Sequence, residues 1–244
     1  MKLRSKIALS LFCINALYAT NNLNDASFLI NHVKESIEKA KLEHSKLING
    51  ILTMNGMSSV KVRHLLNNLC SLQAARYLEI GVGHGSTLIS ALYKNTETLA
   101  DAIAIDNWSE FGFKKNDFLI NTFNYLPQKS FRCYEHNAFS LNLKAIFDQP
   151  INIYFYDGNH SQESQRLAFT YFNDVLADTF IAIIDDWNWT EGNVPGGKRE
   201  VQLGTKQAFE QLGYTILYEE ILPAYCHPDK ANWWNGLYVA VIQK

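Results

Sequence analysis

Residues 77–87 read YLEIGVGHGST. A short apolar run ends here, and three glycines follow at alternate positions, Gly81, Gly83 and Gly85. Glycine lets a chain turn sharply and brings backbone close to a bound group, so the stretch reads as a strand, a loop and the start of a helix. The rest of the chain repeats that alternation. Strands are expected over 76–80, over 102–105 with Asp106 at the end, and over 131–135. Further strands are the run INIYFYD closed by Asp157, the run TFIAIIDD closed by Asp185 and Asp186, and segments 215–220 and 236–242. Helices are expected over 24–52, from Ser58 or Ser59 through Cys70, from the glycine loop to about Lys94, and over 114–126, 163–176 and 204–212.

Apolar strands alternating with helices imply a mostly parallel sheet covered on both faces, a Rossmann-like, doubly wound α/β fold. Only a short irregular segment separates the last two strands, so they should pair antiparallel. Ligands of such sheets bind beyond the carboxyl ends of the strands, where the glycine loop and the strand-end acids fall.

The chain has 244 residues, enough for one sizeable domain, and a formal net charge of −2 with no cluster of lysines, which argues against a nucleic-acid surface. Cys13, Cys70, Cys133 and Cys226 form no C-x-x-C pair and read as reduced small hydrophobes. Lys2, Arg4 and Lys6 precede the apolar run 7–19, the shape of a secretory leader cleaved after Ala19. Leu17 is large for the −3 position, and an amphipathic leading helix is the alternative. The run is too short to span a bilayer comfortably, so no stable membrane span is expected in the mature chain. The expected organisation is a leader over 1–19, helices packed on the core over 20–70, and the main domain over 71–244. Oligomeric state stays open, a homo-oligomer included.

The loop lacks the third glycine of a dinucleotide fingerprint, having Ser86 there, and Glu79 stands two residues before the first glycine. A carboxylate repels a pyrophosphate and favours a cationic amine. The loop therefore suits a ligand carrying an amine and a carboxylate, such as the methionine part of S-adenosylmethionine (SAM). Asp106 can accept ribose hydroxyls, and the Asn137 amide can meet an adenine edge. The bland alternative is a packing turn with a solvated acid beside it.

LEIGVGHGST resembles the first motif of class I SAM-dependent methyltransferases, AIAIDNW their second-strand acid, and HNAF their adenine-side segment. YFYDGNHSQESQRLAF followed by IIDDWNW resembles the small-molecule O-methyltransferase branch of macrocin-type and cephalosporin-hydroxylase-like proteins. The resemblance covers roughly 50–244. It implies a seven-stranded sheet with one antiparallel C-terminal strand, and SAM held by Glu79, Gly81, Gly83, Gly85, Ser86, Asp106, Asn107, Trp108, Asn137 and Ala138. A small hydroxylated acceptor, sugar- or polyketide-like, is implied with it. A SAM requirement favours the cytoplasm, whereas a cleaved leader means export.

Asp157, Asp185 and Asp186 end neighbouring strands. Clustered acids repel unless a cation joins them, and a hard cation such as Mg²⁺ prefers oxygen ligands. Similar methyltransferases use such a metal to bind acceptor hydroxyls, with His160 placed to accept the proton. Asn159 stands where the macrocin-type pattern has a further acid. The alternative is that Asp185 or Asp186 pairs with Lys198 or Arg199. Trp187 and Trp189 offer flat surfaces to an acceptor or are packed structural rings. The loop from 187 to 205 would lie over the acceptor, and Met57 and Ser58 would line the pocket. Two other readings remain, a SAM-binding protein without turnover and a nucleotide-dependent oxidoreductase.

Overall fold

The computed structural model describes residues 23, 25–190 and 196–244. The leader over 1–19 and positions 191–195 of the expected acceptor loop lie outside the described residues. No described helix is long and apolar enough to cross a membrane.

The chain opens with α1 (Ala26–Lys41), whose first turn is capped by the Asp25 carboxylate accepting from the Ser27 and Phe28 amides. Leu29, Val33, Ile37 and Ala40 form its buried stripe. The helix expected over 24–52 breaks here. Glu43 takes a left-handed φ of 52°, and the His44 and Glu43 amides bond back to Lys39 and Ala40, a turn that terminates a helix. A single turn, α2 (Asn49–Leu52), follows. Helix α3 (Val60–Leu69) is capped by Ser59, whose hydroxyl accepts from the Val62 amide.

The alternating part begins with β1 (Arg76–Ile80), α4 (Ser86–Leu92), β2 (Asp101–Asp106), α5 (Lys115–Tyr125) and β3 (Arg132–Glu135). It continues through a short α6 (Leu143–Ile146), β4 (Ile151–Tyr156), α7 (Gln162–Thr170), β5 (Leu176–Ile184), α8 (Glu200–Leu212), β6 (Thr215–Leu222) and β7 (Leu237–Gln243). The seven strands lie in the order β3-β2-β1-β4-β5-β7-β6. All neighbours are parallel except those of β7, which is antiparallel to both β5 and β6. This is the doubly wound sheet with one antiparallel C-terminal strand expected above. Three elements differ in extent. Helix α7 stops at Thr170 and β5 begins at Leu176, while α8 begins at Glu200, so the end of the expected acceptor loop, 200–205, is helical.

Strand parity divides the core. Tyr77, Ala104, Phe155, Ile183 and Val239 face α1, α3 and α4. Leu78, Ile103, Tyr154, Ala182 and Ala240 face α7 and α8. Both faces are dry, which is why the strands read as continuous apolar runs. The Phe169 ring lies edge-on to Tyr154 and Phe209 at 5.5 and 4.8 Å, tying α7 to the sheet and to α8.

Candidate active site

A cleft of about 310 Å³ opens over the carboxyl ends of β1, β2, β4 and β5. It is lined by Gly81, Gly83, Ser86, Asp106, Asn107, Asn137, Ala138, Asp157, His160, Asp185, Asp186 and Met57. Sequence reasoning thus placed most of its candidate residues at one cleft. It missed Glu110, Phe113, Tyr156 and Trp234, which also line it. No motif marks Glu110, Phe113 or Trp234, which come from connections whose paths the sequence does not fix, whereas Tyr156 closes β4 within the run read as a strand.

The glycine loop is set by close backbone approach. Gly81 has a φ of 86°, and a Cβ there would lie 1.9 Å from the Asp157 carbonyl oxygen. Asp106 braces the loop from the next strand. Its Oδ2 accepts from the Val82 and Gly83 amides at 2.8 Å each, and its Oδ1 accepts from the Trp108 amide at 2.6 Å. Trp108 does not line the cleft. Its indole donates to the Gly83 carbonyl at 2.9 Å and its ring leans on Phe118, so it supports the loop from behind. Asn137 caps the turn after β3 by accepting from the Phe139 amide.

Glu79 does not reach the cleft surface either. Strand parity puts it beside Tyr77, fully buried, where it accepts from the Tyr77 and Thr87 hydroxyls at 2.5 Å each. Burial raises its carboxyl and nearby Asp106 adds to that, while the two hydroxyl bonds oppose it; the result is about 7. The folded chain therefore holds a proton on Glu79 that the unfolded chain has released between about pH 4.5 and 7, so this group's contribution to stability falls as pH rises through that window. Glu79→Gln keeps the neutral shape. Denaturant unfolding at pH 5 and pH 8 is expected to show the stability gap between the two proteins moving by on the order of 3 kcal/mol in favour of the variant. A gap that does not change with pH contradicts this.

The second constellation sits across the cleft. Ligand atoms of Asp157, Asp185 and Asp186 all lie within 4.8 Å of one another. Burial raises the carboxyls of Asp157 and Asp185, and the crowding of negative charge raises Asp157 further. Asp185 Oδ1 is buried without a hydrogen-bond partner. Asp186, at a left-handed φ of 56°, has both oxygens engaged: Oδ2 with His160 Nε2 at 2.6 Å and Oδ1 accepting from Asn235 Nδ2 at 2.5 Å. Burial disfavours the His160 cation, but the bond and charge of Asp186, with Asp185 and Glu110 nearby, outweigh it and raise the ring. The alternative pairing with Lys198 or Arg199 is not formed among the described residues; Lys198 bonds Glu200 instead. Asn159 donates to Glu110 at 3.2 Å.

The two tryptophans part company. Trp187 is 3% exposed and stacks on Tyr238 at 4.4 Å, so it is a core ring and not a cleft surface. Gly236 and Asn235 hold its segment by backbone bonds to Trp187 and Asn188, which turns the chain inward after the acids. Trp189 is partly buried and lies edge-on to His160 at 5.1 Å. Of the cysteines, Cys70 is buried, Cys133 partly buried and Cys226 exposed, all of them free.

The family described as "Methyltransferase domain" matches residues 78–187, the segment from β1 through the paired acids. Residues 78–187 are a methyltransferase domain. The architecture around it is that of the class I, SAM-dependent methyltransferases. A Staphylococcus aureus protein assigned as a caffeoyl-CoA O-methyltransferase superposes with a TM-score of 0.55 at 16% identity, over 87% of this chain and 92% of that one. Cofactor-bound Rv0187 from MTB gives 0.55 at 12% identity, over 93% and 95%. The O-methyltransferase TomG from Streptomyces achromogenes, in complex with SAM, gives 0.50 at 17% identity, over 86% and 90%. At these identities the likeness is one of fold. No curated protein matches the sequence. The glycine loop thus belongs to the segment that the methyltransferase family match covers, which counts against the oxidoreductase reading.

Proposed function

We propose that the methyltransferase transfers the methyl group of SAM to a hydroxyl oxygen of a small acceptor, sugar- or polyketide-like, with a divalent cation on the acid cluster. The observation that carries this reading is the meeting, in one cleft, of the glycine loop with His160 and three strand-end carboxylates. Gly81, Gly83, Gly85 and Ser86 would pass under the methionine part, with Asp106 and Asn107 on the ribose side and Asn137 and Ala138 on the adenine side. Glu79 would act from beneath, through Thr87, which lines the cleft. Trp108 would hold the loop in shape, and Met57 would cover the acceptor.

The acid cluster fits a cation. A span of 4.8 Å is one that oxygen ligands at about 2.0–2.6 Å from a shared ion can bridge. The unpartnered Asp185 Oδ1 gives such an ion a ready ligand, and Asp157 faces it. Asp186 is the weaker ligand because His160 and Asn235 already hold it. A bound divalent cation would lower the pKa of an acceptor hydroxyl and fix its orientation.

The rest falls to the chain's own residues. The Asp186 carboxylate fixes the hydrogen on His160 Nε2 and leaves Nδ1 as the basic nitrogen. His160 would take the hydroxyl proton as the oxygen attacks the methyl carbon. The new O–CH₃ bond forms as the S–CH₃ bond breaks, and its electron pair stays on sulfur to give S-adenosylhomocysteine. Orientation supplies most of the acceleration, since the sulfonium is already a good leaving group. Trp189 would hold the His160 ring edge-on from behind. Methyl transfer to a panel of vicinal diols, run with and without EDTA, tests the reading. Turnover that falls at least tenfold with EDTA and returns with Mg²⁺ is expected; undiminished turnover removes the metal.

A further inference from the structure

Beside the cleft lies a second cavity of about 510 Å³. The two share Gly56, Met57, His84, Phe113 and Trp234 as a common wall. Their charges are opposite. The cleft is rimmed by Asp106, Glu110, Asp157, Asp185 and Asp186, whereas the second cavity is lined by Arg63 and Lys230 and by no acid among the described residues.

Arg63 is the unusual member. It lies on the buried stripe of α3 and is 2% exposed. Its Nε donates to the Ser58 hydroxyl at 2.9 Å, and Nη1 donates to the carbonyls of Ile51, Leu52 and Met54 at 2.7, 3.0 and 2.8 Å. No carboxylate of the described residues lies within ion-pair distance of it. Nη2 makes none of these bonds and stands beside Gly56, at the shared wall. Burial lowers the guanidinium to about 10, which leaves it charged at neutral pH. A buried arginine is ordinarily paired with an anion, because an uncompensated buried charge is expensive. Here carbonyl dipoles hold one edge of the fork, and Arg63 lines a cavity that Lys230 lines as well.

We infer that this basic annex binds a carboxylate- or phosphate-type anion carried by a molecule seated in the cleft. The inference deepens the proposed function. If the anion is on the acceptor, the substrate is a hydroxylated acid or phosphate ester and not a neutral sugar. The other source of the same chemistry is the carboxylate of SAM itself.

Calorimetric titration of the full chain with inorganic phosphate, SAM and decarboxylated SAM separates these. An acceptor anion predicts that phosphate binds the SAM-loaded protein, that Lys230→Ala weakens phosphate about five- to tenfold, and that SAM affinity does not move. A SAM carboxylate predicts that phosphate displaces SAM and that decarboxylated SAM binds at least tenfold more weakly. Arg63→Met then closes that gap. Phosphate binding untouched by both substitutions overturns the inference. So does no phosphate binding together with equal affinity for SAM and decarboxylated SAM. Should Arg63→Met fail to fold, the exposed Lys230→Ala and the wild-type comparison of the two SAM species carry the test. Phosphate binding without any SAM binding would keep the annex and remove the reading of the cleft.

Discussion

His160→Ala is expected to lower methyl-transfer turnover by about 10²- to 10⁴-fold, the range seen when a positioned general base is removed. SAM affinity should stay within about twofold, because among the described residues no hydrogen bond ties His160 to the glycine loop and the ring instead bonds Asp186, just past the end of β5. The loss should fall on kcat and not on the KM for SAM. Added imidazole should restore part of the rate, since the variant leaves a space between Asp186 and Trp189. Steady-state kinetics with and without imidazole check this. Near-normal turnover in the variant would assign the proton to another group.

Gly81→Ala is expected to damage the protein more broadly. The left-handed φ disfavours any side chain, and the new Cβ would meet the Asp157 carbonyl at 1.9 Å. That contact cannot relax by a rotamer change, because backbone stands on both sides. The Gly81 amide bonds Ile105 and the Asp157 amide bonds Ile80, so moving either opens the sheet at β1. A loss of about 4 kcal/mol or more follows, the scale reserved for strain at a special backbone conformation. Denaturant unfolding should show the lower midpoint, and calorimetry of any folded fraction should show no SAM binding. A variant of wild-type stability would mean that the loop is looser than its geometry indicates.

How far the sequence leads can be judged residue by residue. The strands were legible because burial on both faces leaves only apolar residues in runs such as INIYFY and TFIAII. The strand-end acids were legible because each closes such a run, and parallel pairing must then bring Asp106, Asp157 and Asp185 to one rim. The end of α1 was not legible, since Glu43 adopts the left-handed turn usually left to glycine. Side-chain direction was less legible than position. Glu79 sits where expected on its strand, yet parity turns it beneath the loop to Tyr77 and Thr87. Trp187 follows the paired acids as read, yet backbone bonds from Gly236 swing it onto Tyr238 and into the core. Trp234 reaches the cleft from a segment far along the chain, and Arg63 turns back from its helix onto the segment just before it. The only signal for Arg63 was a charge on the apolar stripe of VKVRHLL, between Val62 and Leu66.

Calorimetric titration of the full chain with SAM, with NAD as the control, tests the central claim most directly. Saturable binding of SAM with no response to NAD is the predicted result, and it would support the reading of the glycine loop as a SAM site. A folded sample that binds NAD, or that fails to bind SAM, would contradict the account.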